Sequence, residues 1–135
     1  MTMKRWLSRL GGVALFAAAF SPVAMAANAI DVYRDPSCGC CGAWMAYLRT
    51  QGYVVTVHEN QPMAAVKTRF GVPADATSCH TALIDGYVIE GHVPVEDIRR
   101  LLAEHPDARG LAAPGMPIGS PGMEMGAPEH YDVVL

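Results

Sequence analysis

Apolar residues fall along this chain in short blocks separated by turn-forming residues, and the blocks differ in period. Ile30, Val32 and Tyr33 make a β-prone run that stops at Asp35-Pro36-Ser37, a turn signal. Over residues 40–51, Trp44, Met45, Tyr47 and Leu48 recur at helical spacing, and Gly52 follows as a C-cap able to take positive φ. The continuous β-branched and aromatic run 53–57 predicts a strand buried on both faces, as in a parallel sheet. Asn60 can cap a helix with Pro62 near its first turn; Met63, Val66 and Phe70 give that helix an apolar stripe, and Gly71 closes it before Val72-Pro73. Residues 81–84 and 87–89 flank Asp85-Gly86, a strong two-residue hairpin signal. Pro94 starts a last helix with Val95, Ile98, Leu101 and Leu102 as its buried stripe and His105-Pro106 as its stop.

The order β-α-β-α-β-β-α predicts an α/β fold, a four-stranded mixed sheet with helices on both faces. Beyond Gly110 the composition turns to Gly, Pro and Met, with too few apolar residues for a core. This segment, residues 111–135, reads as an extended tail lying over the domain. It contains Met116, Met123 and Met125.

The N-terminus changes the picture of where the chain works. Lys4, Arg5 and Arg9 precede an apolar stretch at 10–20, and Ala24-Met25-Ala26 is an A-x-A cleavage site, so residues 1–26 read as a secretory signal. Ser21 and Pro22 interrupt the apolar run, which is short for a membrane anchor. Cleavage leaves a domain at 27–110 followed by the tail. The 109 residues that remain carry seven basic and thirteen acidic groups, a net charge of −6, which excludes a nucleic-acid binder. About 100 residues suffice for one core without disulfide staples.

Cys38, Cys40, Cys41 and Cys79 all lie beyond the leader, and an exported compartment oxidises paired thiols. A plain disulfide, Cys38 to Cys41 or either with Cys79, is one reading. The crowding of three cysteines into four residues at the start of a helix favours another. Thiols there meet free amide N–H groups and the positive end of the dipole, which favours thiolate, at once nucleophile and metal ligand.

The element order resembles that of thioredoxin and glutaredoxin, with the C-x-x-C of Cys38 and Cys41 where that fold keeps its redox pair. Cys79-His80 stands where those proteins carry a cis-proline that receives substrate, so the resemblance sets a fourth sulfur facing the first three. In more detail, the strings Pro36-Ser37-Cys38-Gly39-Cys40-Cys41-Gly42, Ser78-Cys79-His80-Thr81, residues 85–94 and residues 119–125 resemble the CopG-like family of exported, thioredoxin-like copper-resistance proteins. That resemblance implies a periplasmic protein with a thioredoxin-like fold and copper held by the cysteine cluster. Its expected partners are metal ions and other periplasmic copper-resistance proteins. Neither nucleic acid nor a membrane span in the mature form is expected, and the chain is taken as a monomer or weak dimer.

Four thiolates in one pocket suit Cu(I) or Zn(II). Zinc is the lesser alternative, because adjacent Cys40 and Cys41 do not readily share one tetrahedron, whereas bridging thiolates suit several copper ions. Thioethers select Cu(I), which brings in Met116, Met123 and Met125, although methionine is more often a gap-filler. Among the histidines, His92 after the hairpin and His80 beside Cys79 are the candidate ligands; His105 ends a helix, and His58 and His130 read as exposed. Such a mixed donor set admits both Cu(I) and Cu(II) and hence their interconversion. The competing function is a thiol-disulfide oxidoreductase in which Cys38 attacks and Cys41 resolves.

Overall fold

The computed structural model describes residues 28–135, and the expected leader at 1–26 lies outside them. The elements are β1 (Ala29–Arg34), α1 (Gly39–Thr50), β2 (Val54–His58), α2 (Met63–Phe70), β3 (His80–Ile84), β4 (Tyr87–Glu90), α3 (Val95–Glu104) and β5 (Gly110–Ala112). The sheet order is β2-β1-β3-β4-β5. β1 runs parallel to β2 and antiparallel to β3, β3 and β4 form the hairpin, and β5 lies parallel to β4. This is the expected α/β order with one strand more than the four anticipated. Among the described residues no helix is long and apolar enough to cross a membrane.

Local chemistry accounts for most of these elements. Asp85 and Gly86 both take positive φ, 48° and 82°, the handedness a two-residue hairpin turn needs to match the strand twist. Gly71 caps α2 in the left-handed conformation, and His105 does the same for α3. The helix α2 departs from expectation at its start: Pro62 is its N-cap, its carbonyl accepting from the amides of Ala65 and Val66, so Asn60 stands outside. Pro62 has no N–H to lose there, which makes it a natural first residue.

Alternation along β1 sends neighbouring side chains to opposite faces. Ile30 and Val32 pack with Trp44 and Leu48 of α1 and Ile98 of α3 in the main core. Tyr33, on the other face, meets Phe70 of α2 at 5.2 Å between ring centroids. Helices therefore cover both faces. α1 and α3 are tied together where the Tyr47 hydroxyl accepts the Val95 amide at 3.0 Å, and α1 is tied to the segment after β4 where Trp44 Nε1 donates to the Val93 carbonyl, also at 3.0 Å.

Two expectations are corrected. The run at 53–57 does form a strand, but β2 is the sheet's edge, with Val54 54% and Val57 37% exposed, so it is not buried on both faces. A β-branched run reports strand propensity and cannot report rank in the sheet. Second, the segment read as wholly extended tail begins by adding β5, whose Leu111 enters the core together with the following Ala113. The far edge of β5 is covered in turn: Ala112 and Val134 exchange backbone hydrogen bonds of 2.9 and 2.8 Å. Three apolar residues among glycines and prolines look too few for a core, yet an existing sheet needs only that many to gain a strand.

Candidate metal centre

β1 ends at Arg34, and the turn that follows is fixed by its own polar groups. Asp35 Oδ1 accepts from the Ser37 amide at 2.8 Å and from its hydroxyl at 2.5 Å, while the Cys38 amide donates to the Asp35 carbonyl at 3.0 Å. Arg34 ion-pairs with Glu59 through Nε at 2.7 Å and uses its other nitrogens on the carbonyls of Cys38, at 3.1 Å, and Pro36, at 3.3 Å. Cys38 is the N-cap of α1, so the cysteines do open this helix.

Cys41 is fully buried on the inner face of α1 and is joined to Cys38 by a disulfide. Cys40 and Cys79 are free thiols. Cys40 Sγ lies 3.4 Å from Cys38 Sγ and 3.9 Å from Cys79 Sγ. All four sulfurs lie within 4.8 Å of one another. In this oxidised form Cys38 and Cys41 have no thiolate to offer; four donors exist only once the disulfide is reduced.

Cys79 arrives from the segment leading into β3, which is anchored from beneath by Glu90. One oxygen of this buried carboxylate accepts the Ser78 amide at 2.7 Å and pairs with Lys67 Nζ. The other accepts the Thr81 hydroxyl at 2.6 Å, and Lys67 donates to that same hydroxyl at 3.0 Å. Gly91 crosses close over this anchor at φ 75°, where a Cβ would stand 2.7 Å from the Ala113 carbonyl and collide with Ser78, so a larger residue would lift the segment.

His80 and His92 complete the setting. Both are fully buried, with ring centroids 5.0 Å apart. Cys79 Sγ lies 3.3 Å from His80 Nδ1 and 3.2 Å from His92 Nε2. The other nitrogen of His92, Nδ1, is 2.7 Å from the Pro121 carbonyl. A carbonyl can only accept, so Nδ1 carries the proton and Nε2 turns a lone pair toward Cys79. His80 Nε2 is buried with no hydrogen-bond partner among the described residues.

Burial dominates the electrostatics. It pushes the Cys79 thiol up to about 11, against the Ser78 hydroxyl that donates to it, and neighbouring Cys40 adds to the rise. Burial, with His92 and the Lys67 charge nearby, drops His80 to about 3. Burial also lowers His92, opposed by its bond to Pro121. At neutral pH the centre is therefore a protonated Cys79 thiol facing two neutral imidazoles, both in the state that ligates metals.

The tail closes over this centre through Pro121 and Gly122. Gly122 has φ 85°, and a Cβ there would stand 2.7 Å from the Trp44 backbone nitrogen, so only glycine lets the tail lie this close to α1. Met123 is buried at 8% exposure, while Met125 and Met116 stand at the surface, 62% and 54% exposed. Met116 lines a shallow cavity with Pro117, Glu129 and His130, a lining that contains none of the cysteines. The cysteines and His80 and His92 were visible in the sequence as candidates. Glu90, Lys67, Thr81, Arg34 and the Pro121 carbonyl were not; the one available signal was an acidic residue, Glu90, at the end of an otherwise apolar strand.

The family model described as a protein of unknown function, DUF411, matches residues 76–123, a span that takes in Cys79, His80 and His92 and stops short of the α1 cysteines. Two solved structures titled copper resistance protein copG, forms 2 and 1, are 52% and 53% identical to the chain. Each match covers 78% of this chain, and 86% and 85% of the respective relative, with TM-scores of 0.75 and 0.74. Among curated protein sequences none matches significantly.

Proposed function

The chain belongs to the CopG-like family of copper-resistance proteins, and on that premise we propose that it is a periplasmic copper-binding protein whose cysteine cluster holds Cu(I). The observation that carries this reading is the convergence of four sulfurs within 4.8 Å from two separate segments, beside two buried histidines. Soft thiolates suit Cu(I), and adjacent Cys40 and Cys41 suit bridging between ions better than sharing one tetrahedral zinc. Reduced Cys38, Cys40, Cys41 and Cys79 are the core ligands. His92 joins them through Nε2, supported by the tautomer that Pro121 fixes, and His80 through Nδ1. Met123, Met125 and Met116 serve as outer thioether donors along the tail. With imidazole and thioether beside thiolate, the centre accommodates Cu(II) as well as Cu(I), which permits their interconversion.

A second reading is supported by one observation, the Cys38–Cys41 disulfide at the start of α1. It makes the chain a thiol-disulfide oxidoreductase with Cys40 and Cys79 as bystanders. Cys79→Ser separates the two. In a copper protein the change lowers the number of tightly held Cu(I) ions per chain and leaves any insulin reduction unaltered. Unchanged copper content together with strong insulin reduction by the parent chain is the result that would sink the copper reading.

A further inference from the structure

Cys79 belongs to two donor groups. One is the set of four sulfurs; the other is Cys79 with His80 and His92, whose donor atoms also lie within 4.8 Å of one another. We propose that these are two ion sites sharing the Cys79 sulfur, and that the second, built from Cys79 Sγ, His80 Nδ1 and His92 Nε2, keeps one copper ion when the Cys38–Cys41 disulfide is closed. The proposal rests on the copper-binding reading above and adds a division of labour within it: the disulfide sets how many ions the chain holds.

The geometry supports the division. A thiolate and an imidazole bound to one ion at about 2.3 and 2.0 Å stand about 3.5 Å apart at a tetrahedral angle and about 3.7 Å apart at a trigonal one; the observed sulfur-to-nitrogen distances are 3.3 and 3.2 Å, so side-chain shifts of about half an ångström suffice. Both rings are held before any ion arrives. His92 is fixed by Pro121, in the manner in which a carbonyl commonly orients a metal-bound histidine. His80 sits between His92 and Trp44, 4.4 Å from the indole centroid, and among the described residues nothing partners Nε2 so as to turn Nδ1 away. Two imidazoles and one thiolate make a trigonal set that suits copper in either oxidation state. Closing the disulfide removes two sulfurs from the first group and none of the atoms of the second.

Consider the copper content of the protein prepared in two forms, fully reduced and with the disulfide intact. Cu(I) is supplied without added reductant as its acetonitrile complex, against a Cu(I)-selective chelator. Thiol counts before and after loading verify that only Cys40 and Cys79 are free in the second form. The expected result is one retained ion per oxidised chain, with both nitrogen and sulfur scatterers in copper-edge absorption, and more than one ion per reduced chain. His92→Ala should weaken retention by the oxidised chain at least tenfold and remove one nitrogen scatterer from its copper-edge absorption. An oxidised chain that holds no copper, or holds it on sulfur alone, overturns the shared-sulfur proposal while multiple copper on the reduced chain preserves the parent reading. Absence of copper from both forms overturns the two together. The absorption spectrum of the unmutated protein decides the ligand question even if the variant fails to fold.

Discussion

Cys79 is the residue on which the chemistry turns, and its protonation state sets a measurable signature. With its thiol raised to about 11 it is protonated at neutral pH, so a metal ion must displace that proton. Copper affinity should then rise about tenfold per pH unit for this proton alone between about pH 6 and 8, since ligand thiols bind metal as thiolates. Competition titrations across that range check it, and a flat profile contradicts Cys79 as a ligand. His80 supplies a second test. Its pKa falls from 6.5 to about 3 on folding, so the unfolded chain takes up the proton first. The stability it contributes is complete above about pH 6.5 and drains away as pH falls toward 3. Thermal melts of the metal-free protein should show the midpoint dropping over that window. The cysteines were legible at this scale because few residue types do their chemistry. The Cys79 environment was not, because its burial is a property of the assembled fold and the Pro121 carbonyl that orients the neighbouring His92 comes from 29 residues along the chain.

Among the elements, the loops at the end of β1, before β3 and after β4 carry the centre, and each is held by a polar anchor that leaves no periodic trace in the sequence. Glu90 with Lys67 is the one most exposed to test, because removing one partner leaves the other charge buried. Lys67→Met should cost about 3–5 kcal/mol in denaturant unfolding, toward the low end because the Lys67 side chain is 15% exposed. The tail makes a separate prediction. Gly122→Ala forces a methyl against the Trp44 backbone at positive φ, so it should destabilise by about 1–3 kcal/mol. It should also shift the ¹⁵N signals of His92 as the Pro121 carbonyl moves off. Helices and hairpin were readable from period and caps: the stripe of α1, Asp85-Gly86, Gly71. The placement of β2 at the edge and the fifth strand were not, because both depend on which strands find partners, a property of the assembled sheet.

For the whole molecule, the fold brings the N-terminal end of α1 and the segments flanking the β3–β4 hairpin to one place and lays the tail over it. Residues 38–41, 79–80, 92 and 121 are far apart in sequence and meet in a space a few ångströms wide. This convergence is what the copper account requires and what a reductase needs only in part. The direct measurement is the copper-to-protein ratio of the fully reduced chain after Cu(I) loading and dialysis against a competing chelator, with copper-edge absorption on the same sample. The account predicts more than one Cu(I) per chain in a sulfur-dominated shell; a chain that emerges free of copper, with four reactive thiols, contradicts it.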